Sequence, residues 1–549
     1  MSNEVTVERL REVADDLFGL DELRPAQIEA TTAVLDGRDV LLILPTGAGK
    51  SLAYQLPAVL INGPTVVISP LLALQRDQID RLEARGEQTR AVRLSSAETS
   101  AQRAQALAEV ADGAEFLFLA PEQLANVDVL ERVADLKPTL VAVDEAHCVS
   151  TWGHDFRPDY LRLGELIEQL GAPRIVALTA TAAPPVRDDI VSRLRLKRAL
   201  TIVKGLARDN IALSVERCVT GEDQERAVRE RLLSTSGPGI VYVGTRKAAE
   251  EYADIFKKSG RRAEAYHAGL RKSLRDDVQA RFFDGGTDVI VATSAFGMGL
   301  DKPDIRFVFH ANVPDSPDAY YQEVGRAGRD GDTAVAVLFY RPEDLSLARF
   351  FTAGVPKSDD VARVVGAADG WDLSAMDRRA LAERLGMGPR RLGRILGLLS
   401  EVSAEASGAS GTAAGAEQRR AWLVEAISVR AEAHRALQKS RIEMMRAYAE
   451  TTQCRRQFLL GYFGEESSDL CGACDNCREG WSSAEAAGTQ LDEAAAFAVQ
   501  SRVEHAEFGP GVVMSVDGDV VTVLFETVGY RTLHLPTVLE RELLTGGRG

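Results

Sequence analysis

Residues 143–160 read VDEAHCVSTWGHDFRPDY. Two adjacent carboxylates, Asp144 and Glu145, close an apolar run, and two His, a Cys, a Trp, a Phe, an Arg and a Tyr crowd in behind them. Taken alone, His147, Cys148 and His154 have the side chains of a metal site. A second stretch, Asp39-Val-Leu-Leu-Ile-Leu-Pro-Thr-Gly-Ala-Gly-Lys-Ser51, runs from an apolar segment into a glycine-rich turn, and the helical pattern LAYQLPAVL follows. Strand, turn and helix is the setting a phosphate-binding loop requires. Thr46, Gly47, Ala48 and Gly49 would curl backbone N–H groups around phosphates at a helix N-terminus. Lys50 would reach the β- and γ-phosphates of ATP, and Ser51 would ligate Mg²⁺. The strict pattern wants Gly at Leu44, so the loop alone is incomplete evidence.

The acid pair supplies the missing half. Leu140-Val-Ala-Val143 reads as a buried strand, and ligands of open α/β sheets collect at the carboxyl ends of strands. From there Asp144 can hold Mg²⁺, and Glu145 can orient and deprotonate an attacking water. A second α/β unit follows. Gly239-Ile-Val-Tyr-Val-Gly-Thr-Arg246 and Val289-Ile-Val-Ala-Thr293 read as strands, and Tyr320-Tyr-Gln-Glu-Val-Gly-Arg-Ala-Gly-Arg329 comes after them. This unit has no phosphate loop. Arg326 and Arg329 could instead supply cations across a cleft to a transferring phosphoryl group.

These motifs, in this order, resemble superfamily-two helicases of the RecQ family over residues 17–345. The resemblance implies two RecA-like lobes of parallel sheet with ATP between them, at residues 1–205 and 206–350. It casts Arg24 and Gln27 of Leu23-Arg-Pro-Ala-Gln27 as adenine contacts, and it accommodates Leu44. Val67-Ile-Ser-Pro-Leu71 and Ala120-Pro-Glu122 resemble strand-contacting motifs. Leu178-Thr-Ala-Thr181 resembles the motif that couples hydrolysis to movement. Gln322, Arg326 and Arg329 resemble the γ-phosphate sensor and arginine fingers. Arg208-Asp-Asn210, at the lobe hinge, has Asp209 where Pro is common. Within VDEAHCVSTWGHDFRPDY the resemblance is to the aromatic-rich loop. Trp152, Phe156 and Tyr160 are then expected to stack on unpaired bases and Arg157 to meet phosphate, with His147 relaying movement to Glu145.

Sixteen residues separate Cys454 from Cys471-Gly-Ala-Cys474-Asp-Asn-Cys477. Four such thiols suit a closed, structural Zn²⁺ site, and the spacing resembles the RecQ zinc module, placed at 417–480 with a long amphipathic helical stretch from 417 to 453. Arg455 and Arg456 are positioned by sequence to favour the Cys454 thiolate. Cys148 and Cys218 read as core residues. Asp377 to Pro389 and Arg390 to Leu399 read as a helix-turn-helix, expected to be a winged helix inserted over 351–416, with Arg390, Arg391 and Arg394 facing DNA. Ser403 to Gly415 reads as a tether, and 481–500 as a linker.

Residues 501–549 carry short β-branched runs punctuated by Gly509-Pro-Gly511 and Asp517-Gly518, the pattern of a small five-stranded SH3- or Tudor-like barrel. It resembles the C-terminal barrel of UvrD and PcrA helicases at Val503, His505, Phe508, Gly509, Gly511 and Phe525. That likeness implies RNA polymerase as a partner. Overall the chain is acidic, with 65 Lys and Arg against 81 Asp and Glu and a net charge of −16. Residues 479–549 hold eleven acids against four Arg and no Lys, which suits a protein partner better than DNA. The N-terminal MSNEVTVERLREVADD has no apolar core, so no signal peptide is expected. The uncharged stretch Ser51–Gln75 is broken by Pro57, Gly63, Pro64 and Pro70, so no membrane span is expected either. A cytoplasmic, ATP-dependent DNA helicase moving 3′ to 5′ on single-stranded and branched DNA is the leading expectation. An RNA helicase, or an ATP-gated scaffold coupled to transcription, stands as the alternative.

Overall fold

The computed structural model describes every residue except 1–5, 71, 87–88, 96–97, 151–156, 158–159, 298–301, 347–353, 369–377, 408–415, 466–468, 483–496, 500, 518 and 547–549. Trp152 and Phe156 therefore lie outside the described residues, as do 483–496 and 500 of the 481–500 linker.

Lobe 1 is a seven-stranded parallel sheet. Its strands are β1 (Val40–Ile43), β2 (Thr65–Ile68), β3 (Ala91–Leu94), β4 (Phe116–Leu119), β5 (Leu140–Val143), β6 (Arg174–Thr179) and β7 (Leu200–Val203), in the order β3-β4-β2-β5-β6-β1-β7. Most are continuous Val, Ile, Leu and Phe runs buried on both faces, as expected when helices cover each side of a parallel sheet. Two apolar clusters fill those faces: Leu41, Ile68, Val141 and Val143 contribute to one, and Leu42, Val67, Ala142 and Tyr54 to the other. The register sets β6 between β5 and β1, pairing Val143 with Ala177 and Ile43 with Thr179. The acid pair, the glycine-rich turn and Thr179 thus share one sheet edge.

Lobe 2 is a six-stranded parallel sheet: β8 (Ile211–Arg217), β9 (Gly239–Tyr242), β10 (Ala263–Tyr266), β11 (Val289–Ala292), β12 (Phe307–His310) and β13 (Ala334–Tyr340), in the order β10-β11-β9-β12-β13-β8. After β12 the chain enters a helix at Pro317–Val324. It is started by Ser316, whose hydroxyl accepts from the Ala319 N–H, and by Pro317 in its first turn, both of which favour a helix start.

Residues 351–416 depart from the expected winged helix. Helices Ser358–Ala368, Arg378–Arg384 and Pro389–Ser407 form, and the turn ahead of Pro389 is present. No strand, and so no wing, occurs there among the described residues. The apolar positions instead pair with a neighbour. Val361, Val364, Leu381, Leu392, Ile395 and Leu398 bury against Leu423 and Ile427 of a single 35-residue helix, Ala416–Glu450, about 52 Å long at the usual rise per residue. The module is a helical bundle built on the first half of that helix. Part of the expected tether, up to Ser407, is helical.

The second half of the long helix leads into the cysteine module, with helices Arg455–Tyr462 and Asp475–Arg478. The C-terminal unit is an antiparallel sheet of β14 (Arg502–His505), β15 (Gly509–Asp517), β16 (Val520–Phe525), β17 (Gly529–His534) and β18 (Leu544–Gly546), in the order β17-β16-β15-β14-β18. β15 and β16 are the hairpin expected around Asp517-Gly518. Val503, Val513, Val521, Val523 and Phe525 form its own small core. Among the described residues no helix is long and apolar enough to cross a membrane.

Candidate nucleotide site and zinc centre

The glycine-rich turn leaves β1 and ends in helix Leu52–Ala58, whose start is Ser51. Lys50 folds back over the turn, its Nζ donating to the carbonyls of Leu44 (3.2 Å) and Pro45 (3.4 Å). Burial pulls its pKa below the usual lysine value, while Glu145 and Asp144 work to raise it. Asp144 is 7% exposed. Its Oδ1 accepts the Glu145 N–H at 3.0 Å and its Oδ2 accepts from the Gln78 amide at 3.4 Å. Burial raises its pKa, opposed chiefly by Lys50. A buried carboxylate beside an ammonium, with a hydroxyl at Ser51, is a donor set that fits Mg²⁺. Bound there, the ion would neutralise charge on the phosphates.

Glu145 adopts a left-handed backbone, φ 49°, a conformation that costs a non-glycine residue on the order of 1 kcal/mol and clusters at functional sites. It throws the chain into a one-turn helix at Ala146–Val149. His147, buried there, sets its Nδ1 2.9 Å from Thr179 Oγ1 and 3.3 Å from Glu145 Oε2. The Thr179 hydroxyl donates to the Thr181 carbonyl at 3.0 Å. With that proton committed, His147 Nδ1 must carry the hydrogen and act as donor. The acid pair is thereby joined to Leu178-Thr-Ala-Thr181.

Gln27 reaches the turn directly, its Nε2 donating to the carbonyls of Gly49 (3.1 Å) and Ala48 (3.4 Å), while its Oε1 accepts the Arg24 N–H at 2.8 Å. From lobe 2, Arg329 crosses the cleft. A Cβ on Gly47, whose φ is +81°, would lie 3.3 Å from Arg329 Cγ, so a bare backbone is needed for this approach. The charge of Arg329 also acts on Lys50.

Sequence reasoning missed the residue that locks the two lobes. Arg208 donates to the carbonyls of Thr46 in lobe 1 (3.4 Å) and of Gly325 (3.1 Å), Ala327 (2.7 Å) and Gly328 (3.1 Å) in lobe 2. Nothing but its place in the hinge triplet marked it. The Asp209 departure is also accounted for: it pairs with Arg456 at 2.8 Å.

Other expected contacts fall elsewhere. Arg326 is buried in lobe 2 and donates to the Gly297 carbonyl, so here it braces lobe 2 rather than facing the turn. Gln322 sits part-exposed on the helix Pro317–Val324. Tyr160 is fully buried within the lobe 1 core with Cys148. It is a packing residue, because a large ring at a helical spacing serves a core as readily as a stack. Arg157 donates to the Pro70 carbonyl at 3.3 Å. In the bundle, Arg390 is exposed, Arg391 pairs with Asp360 at 3.0 Å, and Arg394 donates to the Gly354 carbonyl. The last two thus each have a partner within the bundle, and Arg391 remains exposed beside its ion pair.

The four Sγ atoms of Cys454, Cys471, Cys474 and Cys477 lie within 4.8 Å of one another. An all-sulfur cluster of this size fits tetrahedral Zn²⁺ and leaves no open position. The Cys454 thiol is held low by hydrogen bonds from Cys471 and Cys474. Arg455 acts on the cluster through its backbone N–H, which works to lower the Cys474 pKa, while the two guanidinium groups are engaged elsewhere. Arg455 pairs with Asp475 (2.6 Å) and donates to the Tyr448 carbonyl (2.7 Å), while Arg456 is committed to the hinge. Cys148 and Cys218 are buried core residues, as expected.

Three family models match: DEAD/DEAH box helicase over residues 24–190, helicase conserved C-terminal domain over 224–331, and RecQ zinc-binding over 417–478. The chain is similar to the probable ATP-dependent DNA helicase RecS of Bacillus subtilis (strain 168), 42% identical over 340 residues, which are 62% of this chain and 68% of the relative. The ATP-dependent DNA helicase RecQ of the same strain is 34% identical over 466 residues, 84% of this chain and 66% of the relative. The chain belongs to the RecQ family of ATP-dependent DNA helicases. It spans about two thirds of the length of these relatives. Its fold is similar to that of the DEAD-box helicase Mss116 bound to ssRNA and UDP-BeF, with a TM-score of 0.51 at 18% identity over 73% of this chain and 91% of that one, a likeness of architecture alone. In RecQ terms, the two lobes and the Cys₄ module are those of the family, while the matched regions stop at residue 478, short of the barrel.

The module also ties the RecQ core together. Arg187 of lobe 1 donates to the Phe463 carbonyl, Glu465 accepts the Leu206 N–H of the hinge at 3.2 Å, and Asp475 accepts the Val215 N–H of lobe 2 at 2.8 Å.

Proposed function

We propose that the protein is a cytoplasmic motor that hydrolyses ATP to move 3′ to 5′ along single-stranded DNA and separates duplex or branched DNA in recombination, repair or fork processing. The observation that carries this reading is the composite cleft. Arg329 of lobe 2 rests on Gly47 of the lobe 1 phosphate loop, and Arg208 holds both lobes. A nucleotide bound there touches both sheets, so its hydrolysis state sets their separation. In this reading Lys50 and Ser51 hold the phosphates and Mg²⁺ with Asp144. Glu145 deprotonates water, Gln27 and Arg24 meet adenine, Gln322 and Arg329 respond to the γ-phosphate, and Arg326 holds the lobe 2 backbone at Gly297 beside them. His147 passes movement to Glu145 from the loop bearing Trp152, Phe156 and Arg157. Arg390 remains a candidate phosphate contact in the bundle.

Strand separation on tailed duplexes tests the proposal, comparing 3′ with 5′ tails and DNA with RNA, and using Glu145→Gln as control. Unwinding from 3′-tailed DNA that is lost in Glu145→Gln is expected. Unwinding of RNA only, or from 5′ tails only, would overturn it. The barrel adds a second element to the reading, a protein partner, with RNA polymerase the one its likeness to the UvrD and PcrA barrel favours. A pulldown with and without residues 501–549 tests it.

A further inference from the structure

The barrel does not hang from the motor. Met514, Leu524 and Tyr530 belong to the same continuous core as lobe 2 and the cysteine module. Gly529, at the start of β17, has φ +72°, and a Cβ there would lie 2.2 Å from Ser440 Oγ and 3.0 Å from Leu437 Cα of the long helix. The strand is seated on that helix at backbone distance. The next residue, Tyr530, is 5% exposed and stacks on Tyr462 of the cysteine module, with ring centroids 5.3 Å apart and planes at 27°. The Tyr462 hydroxyl donates to Oδ2 of Asp318. Asp318, also buried, lies in the first turn of the helix Pro317–Val324. Arg441, buried on the long helix, faces Tyr462, Asp318, Tyr530 and Asp315 with its charge.

Three other parts of the molecule, the barrel, the cysteine module and the long helix, therefore converge on one carboxylate of lobe 2. The helix it starts carries Gln322 and runs directly into Gly325-Arg326 and on to Arg329. A carboxylate in the first turn also favours the helix itself. We propose that Tyr530 and Arg441 are positioning residues for ATP hydrolysis. Through Tyr462 and Asp318 they fix the root of the helix that presents the lobe 2 groups to the phosphate loop, and the barrel is thereby a working part of the ATPase. The inference rests on the nucleotide-site reading above.

The test uses the full-length chain and steady-state ATP turnover with saturating single-stranded DNA, with kcat and KM for ATP measured separately. Tyr530→Phe keeps the ring stacked on Tyr462 and removes the hydroxyl, which hydrogen-bonds the Tyr462 side chain and faces Asp318. It is expected to lower kcat roughly fivefold, the size of one lost hydrogen bond, with KM for ATP and the melting temperature unchanged. Thr532→Ala, exposed on the same strand, is expected to match wild type. Asp318→Asn, nearly the same size, is expected to reproduce the kcat defect and serves if Tyr530→Phe folds poorly. A merely structural role would move the melting temperature and leave kcat per folded molecule intact, and that result overturns the proposal. So does wild-type kcat in both variants while Arg329→Ala is inactive. Wild-type turnover in Arg329→Ala would remove the nucleotide-site reading and this inference with it.

Discussion

At the scale of single residues, the nucleotide site depends on a lysine and two acids, of which Asp144 is buried and Lys50 and Glu145 half-buried. Burial works against the charge of Lys50, and the two carboxylates beside it work to keep it. Lys50→Ala should therefore abolish ATP turnover and leave Asp144 as a buried acid with its main opposing charge gone. The measurement is turnover against melting temperature, with turnover falling by several orders and the fold retained. His147 offers a finer test. It bridges Glu145 and Thr179, so His147→Ala should leave basal turnover within about threefold while reducing stimulation by single-stranded DNA on the order of tenfold. Equal stimulation in the two proteins would show that the bridge carries no signal. These residues were legible in the sequence because phosphate chemistry demands particular types at close spacing. Arg208 was not, because it works through backbone carbonyls, which have no sequence. Tyr160 was misread for the opposite reason, since an aromatic ring looks the same in a core as on a base.

At the scale of elements, the parallel strands could be read from their unbroken apolar runs, and the hairpin of the barrel from its Asp-Gly turn. The wing could not be separated from a plain bundle. Helix-turn-helix periodicity says which faces are apolar and is silent about the partner that covers them, here the helix Ala416–Glu450. The cysteine module makes a prediction at this scale. Cys454 and Cys474 each open a helix, and Asp475, next to Cys474, holds both Arg455 and the Val215 N–H. Chelation should release zinc, loosen both helices and lower the melting temperature, with loss of the metal followed by elemental analysis. A fully stable, zinc-free chain would refute the structural role. Strand β4 supplies a pH effect. Burial pushes the Glu115 carboxyl just ahead of it up to about 8. The folded protein then holds a proton that an unfolded glutamate has already lost, so this contribution to stability is full below the unfolded value and declines as pH rises through the window to about 8. Melting temperature measured from about pH 5 to about pH 9 should fall less steeply in Glu115→Gln than in wild type.

At the scale of the whole molecule, the two lobes, the cysteine module and the C-terminal sheet could be read from the sequence, but their docking could not. Contacts such as Arg187 with Phe463 and Gly529 with Ser440 join segments far apart in the chain and leave no local pattern. Arg208 is where docking and chemistry meet. Arg208→Ala should raise KM for ATP and lower kcat together, because it removes the bonds that hold Thr46 against Gly325 and leaves each lobe folded. An unchanged KM would place the closing force elsewhere.

The cysteine module grips lobe 1 at Arg187, the connecting chain at Leu206 and Asp209, and lobe 2 at Val215. A body clamped to both arms and to the joint between them is a fulcrum. It forbids the arms from drifting apart in parallel and leaves a swing about the clamp, so displacement grows with distance from it. Small changes at the phosphate loop, close to Arg208 and the clamp, are thereby geared into larger travel at the far rims of the two sheets. Stiffening or loosening this one small module should alter the length of the stroke without touching a single group that handles ATP.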